Sequence, residues 1–421
     1  MKLRISSITG MYLLLLMAVF NASLRLNEGG MSSLFRILSP LVVCWIVCRR
    51  YKVLTKSIIC FLVGVLYSVF VSLLGYGVVS YEYIVFAVYI FAVFVIMVDI
   101  RERSNDFEHS FWLFLNALTT LVIILSFVQM FVRIPFPFVN LPRYPGVNLF
   151  MSNENELAEP LGFISLIYFY RFLFGKKKDI FWVLAIIAIL FINDAKLTII
   201  GCFVGYCLLL ILKQKSRSQG KKFSTGMTLV SITISVLVLI TLLYVINPVI
   251  TFRDYSVSIK DQIFDPIIHI LKLKPMPGAG GSMVDRTNAI IHGLTELKES
   301  NFLGIGWGNS ILMLSFSEYH LLTAKSMHNI VFQFLCEMGI FAFVVYALII
   351  KWTVKNIKTI DVCVNSVLKV AFVVSFIFIS SQSSVGILSN YYSWIIIFYV
   401  FFIQSKSNMI RCPNKGIKNY E

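Results

Sequence analysis

Charge is what this sequence has least of. Charged residues make up 14% of its 421 residues, against 58% hydrophobic residues that include 37 Phe. So few charges could not cover the surface of soluble domains of this size, whereas a bilayer solvates apolar helices directly. Paired cysteines are lacking too. Cys44, Cys48, Cys60, Cys202, Cys207 and Cys336 fall in apolar runs, Cys363 and Cys412 in polar segments, and no CxxC pair occurs. That pattern argues against a disulfide framework and against Cys-ligated zinc. Histidine is scarce, and His109, His269, His292 and His320 form no ligand-spaced set, so no metal is expected. The net charge is nonetheless +16. In a soluble chain that excess would raise nucleic acid as a partner, but in a membrane protein it first reports which side faces the cytoplasm. No nucleic-acid partner is expected.

A membrane-spanning helix needs ~20 mostly apolar residues. The chain offers about twelve such runs: 6–24, 34–48, 57–75, 80–98, 110–132, 157–174, 180–193, 196–212, 225–247, 328–350, 367–385 and 388–404. The expected fold class is therefore all-α: a polytopic integral membrane protein with about 12 transmembrane helices and one large extracytoplasmic loop containing amphipathic helices. Lys and Arg cluster at Arg49–Lys56, Lys176–Lys178 and Lys213–Lys222, in alternate connections, whereas the other side carries slightly more acids than bases. The positive-inside rule then puts both termini in the cytoplasm. Residues 1–247 form the N-terminal membrane helices, 248–327 the large loop, 328–405 the C-terminal helices and 406–421 a cytoplasmic tail.

Two outer segments hold the unusual residues. Residues 133–156 contain Arg143-Tyr144-Pro145-Gly146 and Asn153-Glu154-Asn155. Within 248–327, residues 283–298 read as an amphipathic helix with Ile290, Ile291, Leu294 and Leu297 on one stripe, suited to lie on a membrane surface. Pro275 to Gly281 reads as a flexible connector before it, and Asn301-Phe302-Leu303-Gly304-Ile305-Gly306-Trp307-Gly308 follows it. The glycines permit tight turns. They are no phosphate loop, for they follow no strand and lack the Lys-Ser/Thr pair. His328-Asn329 then stands at the mouth of a span, where an imidazole of ordinary pKa near 6.5 could exchange a proton at neutral pH. Glu337, about 900° of helix rotation further on, faces away from His328 and reads as a buried, partnered carboxylate.

The order of these features resembles the bacterial O-antigen ligase/polymerase family. The resemblance rests on Arg286 with its helix, on residues 301–308, and on His328-Asn329 through Gly339. Arg143 to Gly146 with Asn153 is similar to the family's outer Arg…Gly…Asn segment. Asn193-Asp194-Ala195-Lys196 stands where a Ser-x-Ser-Arg turn is usual, keeping a cation without the serines. The resemblance implies transfer of a glycan from an undecaprenyl-pyrophosphate-linked oligosaccharide to a sugar hydroxyl, on the outer side of a bacterial inner (cytoplasmic) membrane. The donor carries its own leaving group, so no cofactor is implied. Arg286, Arg143 and Lys196 would bind the pyrophosphate, His328 would act as base, and Asn329, Asn153 and Trp307 would contact substrate. Membrane lipid surrounds the protein, and a chain-length regulator is a further expected kind of partner.

Each assignment has a plainer counterpart. Arg286 could be a solvated helix-start charge, Arg143 a snorkelling anchor, Lys196 a turn ion pair with Asp194, and Trp307 an interfacial aromatic. A repeat-unit polymerase leads, a ligase acting on lipid A-core is its neighbour, and a lipid-linked oligosaccharide flippase is the carrier alternative. A carrier would place ionisable groups near the bilayer midplane in broken helices, often with internal repeats. Here no repeat is evident and the polar groups gather in the outer loops.

Overall fold

The computed structural model describes residues 7–26, 33–142, 145–217, 241, 245, 249–252, 255–258, 260–277, 282–315, 327–358, 365–381 and 384–403. The first seven helices are α1 (Ser7–Val19), α2 (Leu34–Gly75), α3 (Tyr81–Arg103), α4 (Phe107–Val132), α5 (Glu154–Leu173), α6 (Asp179–Ile192) and α7 (Lys196–Arg217). A hairpin of β1 (Val249–Phe252) and β2 (Tyr255–Ser258) follows, pairing Val249 with Ser258 and Phe252 with Tyr255. Then come α8 (Asp265–Lys272), α9 (Ser282–Glu299), α10 (Ser310–Ser315), α11 (Ile330–Lys358), α12 (Asn365–Ile379), α13 (Ser384–Ser389) and α14 (Tyr391–Phe402).

The chain is a helical membrane protein, but two details of the expected class change. The hairpin departs from an all-α chain: Val-Ile-Thr-Phe and Tyr-Ser-Val-Ser are rich in the β-branched and aromatic residues that favour extended backbone. The count of about twelve spans is also not reached. Among the described residues five helices (α2, α3, α4, α7 and α11) are long and apolar enough to cross a bilayer, while α1, α6, α12 and α14 are apolar but shorter. Apart from residues 241 and 245, the expected span 225–247 lies outside the described residues.

The expected runs 34–48 and 57–75 are the two arms of α2, joined through the polar Arg49–Lys56 stretch, which contains no glycine or proline. The helix still reverses. Arg50 leaves helical geometry (φ −118°, ψ 21°), and the two halves meet α3 in opposite senses. Before Arg50 the Arg36 guanidinium covers Phe86 and Tyr89, and Arg50 itself reaches Asp99 at 3.7 Å. Beyond it Phe61 stacks on Phe91, and Gly306, Gly308 and Ser72 gather near Tyr83. The polar Arg49–Lys56 stretch thus sits at one end of the bundle, with Arg103–Asp99 (2.9 Å) and Arg171–Asp179 (2.7 Å). We call this the turn end. The loop end, opposite, carries residues 76–80, 133–142, 145–153, 300–315 and 327–329.

Helix α5 is the central element: residues 157–168 are buried on every face, as expected of a helix surrounded by others. The outermost faces are apolar instead. Leu41 is 71% exposed, Leu66 67% and Phe131 84%, which in water would be costly and in lipid is not.

Candidate active site

The site begins with a broken helix. Gly339 interrupts α11 at φ +47°, ψ −125°, and a side chain there would land on the backbone of Phe302 and Leu303. A break inside a span frees backbone groups that lipid cannot satisfy. The 302–306 loop satisfies them: Ile340 N donates to Phe302 O (2.8 Å), Gly306 N to Glu337 O (2.8 Å) and Ile305 N to Cys336 O (3.2 Å). Gly304, at φ +93°, allows the approach, since a Cβ there would stand 2.5 Å from Glu337 O. Broken helices are a mark of carriers, but this break is filled by the protein's own loop.

Glu337 is buried beneath that loop. Its carboxylate accepts from Ser310 Oγ (2.5 Å) and Gln333 Nε2 (3.0 Å), tying α10 to α11. The expectation of a partnered, helix-holding carboxylate holds. Sequence reasoning missed Ser310 and Gln333 as its partners, although Gln333 one turn before Glu337 was a usable signal.

The amphipathic stripe of α9 does not lie on a membrane surface. Ala289 and Ile290 pack with Ile305, Met313, Leu314, Met327 and Cys336 in a second apolar core over the first half of α11. The stripe was legible; its partner, supplied by residues 305–336, was not. At its start, the Asn288 side chain accepts from Met276 N (2.8 Å) and donates to Met276 O (3.2 Å). The connector expected to be flexible is therefore docked at Met276, while residues 278–281 lie outside the described set.

This packing sets Arg286 close enough to His328 for its charge to act on the imidazole. Arg286 is mostly buried and its Nε has no hydrogen-bond partner; burial holds its pKa below the ordinary guanidinium value. His328 adopts φ +51°, a left-handed conformation uncommon outside glycine and often found at functional sites. Its Nδ1 is buried without a partner. Burial, with the Arg286 charge adding to it, pushes the imidazole pKa down to about 4. At neutral pH the ring is thus uncharged, with a lone pair to accept a proton. The ordinary value near 6.5 assumed from the sequence does not apply.

The other expected site residues have structural occupations. Asn329 caps α11, its Oδ1 accepting from Val331 N and Phe332 N, both at 3.1 Å. Asn153 caps α5 in a reciprocal box with Glu156, accepting from Glu156 N (3.0 Å) and donating to Glu156 Oε1 (3.2 Å). Trp307 donates its backbone N–H to Ser68 Oγ (2.9 Å) and packs edge-on to Phe334. Lys196 pairs with Asp194 at 3.5 Å and is 46% exposed. Its turn docks on the 133–156 segment through Asn193, which bonds Val147 N (2.9 Å) and Val147 O (2.8 Å). Arg143 lies outside the described residues.

Residues 180–347 match the model of a protein family described as O-antigen ligase. The match runs from α6 into α11 and takes in Lys196, Arg286, Trp307, His328 and Asn329, but neither Arg143 nor Asn153. No curated protein and no solved structure matches the chain.

Proposed function

We propose, from the match of residues 180–347 to a family model described as O-antigen ligase, that the chain is a polymerase of undecaprenyl-pyrophosphate-linked repeat units. The observation that carries this reading is that Arg286 and His328, at the loop end, each hold a buried side-chain nitrogen without a hydrogen-bond partner. That pair matches the two demands of the reaction. An acceptor hydroxyl oxygen attacks the anomeric carbon, the bond from that carbon to the pyrophosphate oxygen breaks, and the lipid pyrophosphate leaves with the electron pair. The hydroxyl proton passes to His328, through Nδ1 if the ring keeps its present orientation. Arg286 stabilises the charge on the departing pyrophosphate, as fixed donors do when they face developing negative charge. The two groups are coupled: a bound pyrophosphate offsets the Arg286 charge and raises the imidazole's basicity when a base is required. Lys196 and Arg143 are further candidates for the same anion, and Asn329, Asn153 and Trp307 for substrate contact. The loop end then faces the outside of the inner membrane, with both termini in the cytoplasm.

The family's description names a ligase, so transfer of finished chains to lipid A-core is the second reading. Deleting the gene and resolving the host's surface polysaccharide on a gel separates the two. Polymerase loss leaves core bearing a single repeat; ligase loss leaves bare core while lipid-linked polymer accumulates. Undiminished long chains would sink the polymerase reading.

A further inference from the structure

The reaction sketched above leaves a second polar site at the loop end unused. A cavity of about 290 Å³ opens among the ends of α1, α2, α3, α5 and α14. Two guanidiniums, Arg25 and Arg36, and two carboxylates, Glu82 and Glu156, line it together with Asn21 and Asn390. None of these six was assigned a role by sequence reading, because they are scattered over several segments of the chain.

The site is held in shape. The Arg36 guanidinium carbon lies 5.6 Å from the centre of the Phe86 ring and 5.4 Å from that of Tyr89, an arrangement that steadies the cation. Glu156 accepts from Ser152 N (3.0 Å) and from Asn153 Nδ2, and the Arg25 charge acts on it. Asn390 Nδ2 donates to Glu156 O at 2.6 Å. Asn21 Oδ1 accepts from Ser33 Oγ at 2.5 Å.

The balance of charges selects the ligand. An anion would meet two carboxylates, a cation two guanidiniums, and an apolar chain would strip water from all four. A ligand dense in hydroxyls suits them: carboxylates accept O–H bonds, guanidiniums donate in pairs to oxygen, and amides do both. The volume sits near the ~300 Å³ lower end of small-molecule pockets, room for a short saccharide. Glu82 lines the cavity, and the next residue, Tyr83, lies against Gly308 in the loop that leads to α10.

We propose that this cavity binds the acceptor glycan; the term acceptor rests on the polymerase reading, the binding of a glycan does not. The test uses full-length protein in phosphatidylethanolamine nanodiscs. The probe is the host's repeat-unit oligosaccharide, freed from its lipid by mild acid, and binding is titrated by saturation-transfer NMR. Wild type and His328→Ala should bind it equally, whereas Glu82→Gln and Arg36→Met should each weaken it at least tenfold at unchanged melting temperature. Where Glu82→Gln lowers the melting temperature, Glu82→Asp keeps the charge, shortens the reach and should show the same weakening. No binding to wild type, or wild-type affinity in the stable cavity variants, overturns the proposal. So does binding of phosphatidylglycerol in place of the oligosaccharide. Long chains surviving gene deletion would sink the polymerase reading and leave this titration standing. Lost chains with unaltered binding in the variants would sink the cavity alone.

Discussion

Two polar sites at the loop end differ in how their charge is arranged. Around His328, a guanidinium and a neutral imidazole carry buried nitrogens without partners, and the nearby Glu337 is occupied by Ser310 and Gln333. In the N-terminal cavity, Arg25 and Arg36 face Glu82 and Glu156 in equal number. On the proposed reading the first arrangement serves an anion and a proton, and the second, with its charges balanced, serves neutral hydroxyls. The contrast separates reacting from holding.

The sharpest way to break this contrast is at His328. General-base assistance contributes ~10²–10⁴-fold to rate, so His328→Ala should lose chain extension by that factor at normal protein abundance, read as polymer formed per unit protein. Wild-type chain lengths would remove the distinction between the sites. Arg286→Gln comes next. Hydrogen bonds to charged groups are worth about 1.5–3 kcal/mol, so donor affinity should fall roughly ten- to a hundredfold. The same variant should raise the His328 pKa from about 4, because it removes the cation that opposes protonation while burial stays. The sign is testable by nitrogen NMR: at pH 5 the wild-type ring is neutral and the variant ring is more protonated. The acid limb of the rate profile should therefore move to higher pH.

Smaller effects sharpen the comparison through the scaffold. Gly339→Ala forces a side chain onto the loop and a left-handed φ onto a non-glycine residue. It should cost about 2–3 kcal/mol of stability, seen as a lower melting temperature in detergent, and should disturb the His328 site while leaving oligosaccharide binding in the cavity intact. Asn329→Ala should cost ~1 kcal/mol by uncapping α11. Asn329→Asp keeps the cap, so full activity in it would mark Asn329 as a cap, and a selective rise in KM would mark a substrate contact.

How much of this was legible in the sequence follows from what kind of signal each feature leaves. Apolar runs gave the helices, since a span must be locally continuous, whereas Asn329, expected to contact substrate, caps α11. The two arms of α2 were legible as separate runs, but the kink between them was not: it depends on a single residue, Arg50, leaving helical geometry with no glycine or proline to announce it. The break at Gly339 was equally hidden, because the hydrogen bonds that make it tolerable come from residues 302–306. The cavity left no pattern at all, being assembled from Arg25, Arg36, Glu82 and Glu156 across four segments. The depressed basicity of His328 needed both burial and the approach of Arg286, 42 residues away in sequence.

The central claim is that His328 takes the proton of the attacking hydroxyl. The most direct measurement supplies purified protein in nanodiscs with radiolabelled lipid-linked repeat units and follows release of the lipid pyrophosphate together with chain growth. The account predicts that His328→Ala retains the labelled donor on the nanodisc yet releases at least a hundredfold less lipid pyrophosphate than wild type, ~10² being the lower bound for general-base assistance. Release and chain growth at the wild-type rate would contradict it.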